Sequence, residues 1–274
     1  MTFAKPPLVE LMAEVRWGIP TIPLGQSGGT SAFPIPIVPG QPVQFTASGA
    51  YDSFFAEFAK RVRELGFTIQ ERTVPANMVV PPFKAVWRWQ NPDAPGTMLQ
   101  LGAGVFTING APPTYIKWAD FVGTVSSALD ALLGAMPTYP EPPEKFSQLL
   151  MRYVDLFDEH LAEGKKHAEF LRDVLGVNVV LPKAMTEQAR PESDIAPSLS
   201  VAMPVEGGSA NFVFTPGIVS GKSGFILDST ITADRELSID RDVVVENFTR
   251  AHDILNSIFV GMTAPIHRLM EPTT

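Results

Sequence analysis

The sequence predicts an α+β protein in which antiparallel strands pack against a few long helices. Short segments that alternate apolar and polar residues indicate half-buried strands. Two longer segments, at about 111–136 and 240–270, repeat apolar residues at helical spacing and predict amphipathic helices. The 26 prolines and 21 glycines fall mainly between these segments and separate them into distinct elements.

The first predicted half comprises residues 1–140. It opens with a strand at 8–17 whose odd-numbered residues form an apolar face. A loop at 18–48, rich in proline, glycine, serine and threonine, leads to a helix at 50–65 that Gly66 ends. The remaining elements of this half are the strands FTIQERTV (67–74), KAVWRWQ (84–90) and TMLQLGAGVFTIN (97–109), and a closing helix opened by 111–114.

The second predicted half comprises residues 141–274 and follows a proline-rich linker at 137–145. Its elements are a strand at 146–157, a helix at 158–175, the strands SLSVAMPV (198–205), NFVFTPGIV (211–219) and GFILDSTITA (224–233), and a closing helix at 240–270. Both halves therefore have the order β-α-β-β-β-α. This order predicts two antiparallel sheets, each packed on its long closing helix, as in helix-grip and TATA-binding-protein-like folds. Such a likeness at the level of the fold implies no function.

Composition and charge exclude several classes of function. The chain has no cysteine, which excludes disulfides, thiolate metal sites and a cysteine nucleophile. The formal net charge of −8 comes from residues 141–274, where 20 acidic residues outnumber 12 basic ones. Phosphate backbones are bound by clustered lysines and arginines, so we predict no nucleic-acid partner.

The N-terminal segment MTFAKPPLVELMAEVRW lacks the basic region and apolar core of a signal peptide. No window of 18 residues is apolar and uncharged throughout, so we predict no membrane-spanning helix. These features predict a protein of the reducing cytoplasm.

Two glycine-containing segments are similar to nucleotide-binding motifs, but each fails at a defined position. A dinucleotide-binding turn needs a small residue where Thr107 stands, and Gly102 and Gly104 are predicted to lie inside a strand. The segment from Gly217 to Gly221 has three residues between its glycines where a phosphate-binding loop has four, and a strand follows it. We therefore predict no cofactor.

Three residues have the spacing of metal ligands on one helical face. His160, Glu163 and His167 fall at i, i+3 and i+7 of the helix predicted at 158–175. A solvated acidic helix face is the preferred interpretation, and no metal site is predicted. The alternative is a metal-dependent hydrolase that uses His160, His167 and the nearby Asp155.

Short segments spread over nearly the whole chain support a comparison with a known family. They are PPLVELMAEVRW (6–17), LQLGAGVFTIN (99–109), YIKWADF (115–121), LLMRYVDLF (149–157) and AHDILNSIFVGMT (251–263). On these segments the chain resembles a sporadically distributed family of bacterial proteins of unknown function. The resemblance implies a link to mobile-element or phage-defence genes. Family members carry an asparagine at the end of a motif whose place is taken here by Asp155.

Because every catalytic signature fails at a specific residue, we predict a non-enzymatic binding or accessory protein. Its ligand would occupy a pocket between the two halves, or between the sheet and a long helix. A protein partner or self-association stays open, and an oligomeric scaffold with 33–43 as the contact is a further alternative. The candidate ligand-binding residues are polar or aromatic and lie in or beside the distinctive segments: Arg16, Arg88, Tyr115, Lys117, Trp118, Arg152 and Tyr153.

Overall fold

The structure is a computed structural model that describes residues 1–18, 51–75, 78, 82–190, 195–233 and 235–273. Its strands are β1 Thr2–Phe3, β2 Leu8–Arg16, β3 Ile69–Arg72, β4 Ala85–Asn91, β5 Ala94–Gly102, β6 Val105–Gly110, β7 Lys145–Phe146, β8 Gln148–Asp158, β9 Leu199–Val205, β10 Gly208–Val219, β11 Lys222–Ala233, β12 Leu237–Ser238 and β13 Pro272–Thr273. Its α-helices are α1 Asp52–Glu64, α2 Trp118–Ala135, α3 Glu159–Ala162, α4 His167–Asp173, α5 Lys183–Thr186, α6 Arg241–Met262 and α7 His267–Met270. The α+β class is confirmed.

Nine strands form one antiparallel sheet in the order β3-β4-β5-β6-β2-β8-β11-β10-β9. The prediction of two separate sheets is wrong, because the first strand of each predicted half pairs with the other. In this β2–β8 ladder, Arg16 lies opposite Gln148 at one end and Leu8 lies opposite Asp155 at the other. Both predicted halves therefore contribute strands to the same sheet.

Strand β2 has the apolar face that its odd-numbered residues predict. Leu11, Ala13 and Val15 are buried against the helices. At its start the alternation fails, because a bulge between Leu8 and Glu10 shifts the register by one residue. Leu8, and not Val9, is consequently the residue opposite Asp155.

The two long helices cover one face of the sheet and pack on each other. The carboxylate of Asp240 accepts hydrogen bonds from the backbone N–H groups of Asp242 and Val243, which fixes the start of α6. By length and composition, the stretch Trp118–Thr138 is apolar enough to cross a membrane. Eight of the residues of α2 are buried, and the helix packs on α1, α6 and the sheet.

The segment predicted as one strand at 97–109 is two strands joined by a tight turn. Gly104 has a positive φ of 77°, a conformation that glycine adopts without steric cost. A side chain on Gly102 would lie 1.9 Å from the carbonyl oxygen of Lys84. These two glycines therefore mark a hairpin and a close approach of the backbone, and they do not lie within a continuous strand as predicted.

The closing helix of the first half begins later than predicted. Residues 111–117 form a turn, and α2 starts at Trp118. Just before this turn, Gly110 leaves room for two aromatic rings: a Cβ atom there would lie 2.9 Å from Phe121 and 3.3 Å from Tyr115. The missing side chain lets the turn fold back against β6 and brings Tyr115 into the protein core.

The single helix predicted at 158–175 is interrupted. Glu163 and Gly164 both adopt left-handed backbone conformations, with φ of 50° and 73°, and such residues end an α-helix. The result is two short helices, α3 and α4. The predicted loop at 18–48 lies almost wholly outside the described residues, and its 33–43 segment entirely so.

Candidate functional site

A cavity of about 330 Å³ lies on the helix-covered side of the sheet, near its centre. Strands β8 and β11 form its floor, and α6, the start of α2 and the N-terminal segment form its walls. Most of its lining is apolar, including Phe3, Leu8, Leu255 and Phe259. The polar groups come together at the floor, where alternation along β8 directs Tyr153 and Asp155 to the same side.

A short chain of hydrogen bonds links three elements across the cavity wall. The hydroxyl oxygens of Tyr115 and Tyr153 are 3.3 Å apart, and the Tyr153 hydroxyl lies 2.7 Å from Nδ1 of His252 on α6. Burial raises the pKa of Tyr115 to about 12 and the pKa of Tyr153 well above its ordinary value. Both phenols are therefore neutral at physiological pH.

The imidazole of His252 is held between β8 and α2. It stacks on the indole of Trp118 with the ring centres 5.4 Å apart and the planes inclined by 19°. Trp118 is fixed in turn, because its Nε1–H donates a hydrogen bond of 3.1 Å to the hydroxyl of Thr249. Burial lowers the pKa of His252, so the ring is neutral at pH 7.

Asp155 is the unusual group in the cavity. Its exposed fraction is 5%, and its carboxyl group has no hydrogen-bond partner among the described residues. Burial, and next the nearby charge of Asp228, raise the pKa of Asp155 to about 8. No basic group in the described part of the chain contributes to this pKa. Buried polar groups in folded proteins almost always have partners, so one without a partner calls for an explanation.

The opening of the cavity is lined by residues of both signs of charge. Lys117 is exposed and lies 3.6 Å from Asp120, and Asp253 is exposed on α6. Ile116 and Met1 are more than 60% exposed at the same opening. The cavity is thus accessible from solvent, through an entrance that is partly apolar.

The predicted site residues separate into two groups on opposite faces of the sheet. Tyr115, Lys117, Trp118 and Tyr153 line the cavity. The three arginines, Arg16, Arg88 and Arg152, lie on the other face, away from α2 and α6. The structure therefore does not bring the seven candidates together at one site.

Each of the three arginines is paired with a carboxylate. Arg152 makes a two-pronged contact with Asp228, with distances of 2.8 and 2.5 Å. The guanidinium groups of the other two lie 2.6 Å from neighbouring carboxylates, Arg16 with Glu14 and Arg88 with Glu71. On the same face, the hydroxyl of Thr107 donates a hydrogen bond to Glu14 and the amide of Asn109 donates one to Glu10.

Sequence reasoning did not include Asp155 and His252 among the ligand-binding candidates. For Asp155 a signal existed, because the alternation along β8 already places it on the face of Tyr153. For His252 no local signal exists, because its partners Tyr153 and Trp118 lie about 100 and 130 residues away in sequence.

The shared helical face of His160, Glu163 and His167, on which the metal-dependent alternative depends, is not formed. His160 lies on α3 and His167 on α4, with the two left-handed residues between them. The carboxylate of Glu163 instead pairs with Arg268 and Lys165. In the described ranges, no group of three or more histidine, aspartate or glutamate residues is placed to hold a metal ion.

No family model, curated protein or solved structure matches this chain. The family resemblance noted in the sequence stays a prediction, and the geometry of the cavity carries the functional argument.

Proposed function

We propose that the protein is a binding protein, without catalytic activity of its own, that takes up a small ligand in the cavity between the sheet and α6. The observation that carries this proposal is the carboxyl group of Asp155, which is buried at the floor of an accessible cavity without a partner from the described chain. A ligand that enters the cavity would supply the missing partner. The cavity volume of about 330 Å³ suits a small ligand, near the lower end of the usual range of roughly 300–1,000 Å³.

The fixed geometry of the cavity wall supports the proposal. Trp118 and His252 are each held by a ring contact and a hydrogen bond, so the wall is formed before any ligand arrives. Preorganised walls reduce the entropy lost on binding. The geometry does not favour a metal-dependent hydrolase, because His160 and His167 lie on separate helices.

The proposal extends to the origin of the fold. In each half the first strand pairs with the last strand of the following meander, β2 with β6 and β8 with β11. This shared order supports an internal duplication of a helix-grip-like unit, with β2 and β8 meeting at the centre. A cytoplasmic location and a role beside mobile-element or phage-defence genes are also proposed, on the composition and the family resemblance respectively.

Binding in the cavity can be tested with three probes that share one apolar body and differ in charge: 2-phenylethylamine, 2-phenylethanol and 3-phenylpropanoate. Saturation-transfer NMR would be recorded with the full chain and two variants of neighbouring residues on α6. Asn256 lines the cavity and Ser257 is exposed to solvent. Asn256→Phe fills the cavity and is expected to reduce the signal of any bound probe at least about tenfold, whereas Ser257→Phe leaves it unchanged.

Two outcomes would contradict the proposal. One is that none of the three probes binds the native chain at millimolar concentration. The other is that a probe binds equally well to Asn256→Phe, which would place its site elsewhere. Circular dichroism of both variants ensures that the comparison is made between folded proteins.

A further inference from the structure

The missing partner of Asp155 indicates the chemical class of the ligand, and this inference rests on the proposed binding function. Other charged groups near the floor of the cavity already have partners within the chain. Asp228 is matched by Arg152, and Lys117 at the opening lies beside Asp120. Neither Lys117 nor the amino group of Met1, which also lies at the cavity, contributes to the pKa of Asp155. A ligand can therefore supply the positive charge that matches it.

The neighbouring hydroxyl groups also present acceptors to the cavity. In the neutral tautomer of His252 that leaves Nδ1 unprotonated, Tyr153 donates its proton to Nδ1 and Tyr115 donates to Tyr153. The oxygen of Tyr115 then keeps its lone pairs free. A ligand head group that donates several hydrogen bonds and accepts none complements both this oxygen and an ionised Asp155.

The aromatic lining favours a positive charge on an apolar body. The rings of Phe3, Tyr115, Trp118 and Phe259 line the cavity. Ring faces attract ammonium groups, and the attraction is stronger where water is excluded. The same rings provide apolar contact area for a hydrocarbon or aromatic body attached to the head group.

We propose that the cavity selects a primary amine carried on a small apolar body, with its ammonium group paired to the carboxylate of Asp155. A divalent metal ion is a poor alternative, because it needs several oxygen ligands and the described residues offer no such group. An anionic ligand would place a second negative charge beside Asp155, and the basic groups at the cavity are confined to its opening.

Binding of an amine is expected to release a proton. The empty cavity holds Asp155 largely protonated at neutral pH, because burial raises its pKa to about 8. The ammonium ion pairs with the ionised carboxylate, so the proton of Asp155 leaves to solvent as the amine binds. The affinity should therefore rise with pH, by at most about tenfold per pH unit, and level off once Asp155 is ionised in the empty protein.

Several other titratable or charged groups surround Asp155. They are Tyr153 on β8, Tyr115 and Lys117 before α2, His252 and Asp253 on α6 and the amino group of Met1, with Asp228 of β11 nearby on the opposite face. Burial raises the pKa values of both tyrosines and lowers the pKa of His252. Because all of them are present in Asp155→Asn, the difference between that variant and the native chain isolates Asp155.

Isothermal titration calorimetry tests the proposal with the same three probes at pH 6, 7 and 8. 2-Phenylethylamine is expected to bind the native chain more tightly than 2-phenylethanol and 3-phenylpropanoate, with an affinity that rises toward pH 8 and with measurable proton release. Asp155→Asn should weaken amine binding at pH 8 at least about tenfold and remove the pH dependence. Asp93→Asn, an equal change of charge in an exposed turn, should bind as the native chain does.

The outcomes separate the ligand class from the binding function. If 2-phenylethanol or 3-phenylpropanoate binds in the cavity and the amine does not, the proposed ligand class is wrong and the proposed binding function stands. If none of the probes binds, both proposals fail. An amine affinity that is flat or falls between pH 6 and pH 8 overturns the pairing with Asp155 without reference to any variant.

Discussion

The two faces of the central sheet differ in whether their charged side chains have partners of opposite charge. Neighbouring residues of β8 show the difference. Arg152 points away from the helices and is held by both oxygens of Asp228. Tyr153 and Asp155, on either side of Val154, point into the cavity, and no positive charge from the described chain acts on Asp155. On the open face each of the three arginines has a carboxylate partner. On the cavity face no basic group of the described chain is paired with Asp155.

This difference shows that pairing, more than residue type, identifies the candidate site. Arginines are prominent in the sequence because they bind many ligands, and three of them were selected as candidates. All three stabilise the sheet through carboxylates on the same or an adjacent strand. The less prominent Asp155 is buried in the cavity without a basic partner in the described chain.

The largest expected effect concerns the stability of the cavity face. The folded protein holds Asp155 protonated up to about pH 8. In the unfolded chain the same carboxyl group loses its proton at a lower pH, near its ordinary pKa of about 4. The native chain should therefore lose stability relative to Asp155→Asn as the pH rises from 4 to 7, by on the order of 3 kcal/mol. Urea unfolding of both proteins across this range measures the difference, and Asp93→Asn provides the control. If the unfolding free energies of the native chain and Asp155→Asn change equally from pH 4 to pH 7, Asp155 is ionised in the folded protein.

A smaller effect is expected on the open face, where the arginine is already matched. Arg152→Ala leaves the partly buried carboxylate of Asp228 without its partner, because the side chain of Asp228 is 24% exposed. The free energy of unfolding at pH 7 should fall by about 1–2 kcal/mol. Chemical denaturation gives this value. Probe binding in the cavity should weaken less than in Asp155→Asn, because Asp228 acts on Asp155 only through its charge. A loss of probe binding as large as that in Asp155→Asn would mean that the two faces are more tightly coupled than this.

The smallest effect is expected for the exposed arginine pair. Arg88 and Glu71 are 37% and 58% exposed, and ion pairs in water contribute little. Arg88→Ala should change the free energy of unfolding by less than about 0.5 kcal/mol. A loss as large as that of Arg152→Ala would show that exposure does not determine which of the two pairs contributes more to stability. The same denaturation experiment compares both variants directly.

The class of the fold and most of its elements could be predicted from local patterns. The alternation in β2 and the phenylalanine spacing in α1 are properties of neighbouring residues, and both elements form where predicted. The joining of the sheets could not be predicted in this way, because β2 and β8 are more than 130 residues apart at their pairing. Periodicity assigns a residue to a face, but it does not say which other strand lies beside it.

The candidate site shows the same limit. Tyr115, Trp118 and Tyr153 were selected from their segments, and they do line one cavity. His252 joins them because α6 crosses the sheet above Tyr153, which is a property of the folded chain. Gly164 is a local feature that weakens the helix predicted at 158–175. The left-handed conformations of Glu163 and Gly164, which separate His160 from His167, are seen only in the fold.

Gly110 has a consequence for how the selectivity of this protein could change during evolution. It lines no part of the cavity, yet the Tyr115 ring lies 3.3 Å from where its Cβ atom would be. A larger residue there would press first on Phe121, 2.9 Å from the Cβ position, and next on the Tyr115 ring. A shift of that ring would alter its 3.3 Å spacing to Tyr153. A single substitution beneath the wall could thus tune the acceptor strength offered to a ligand while every residue that touches the ligand stays the same.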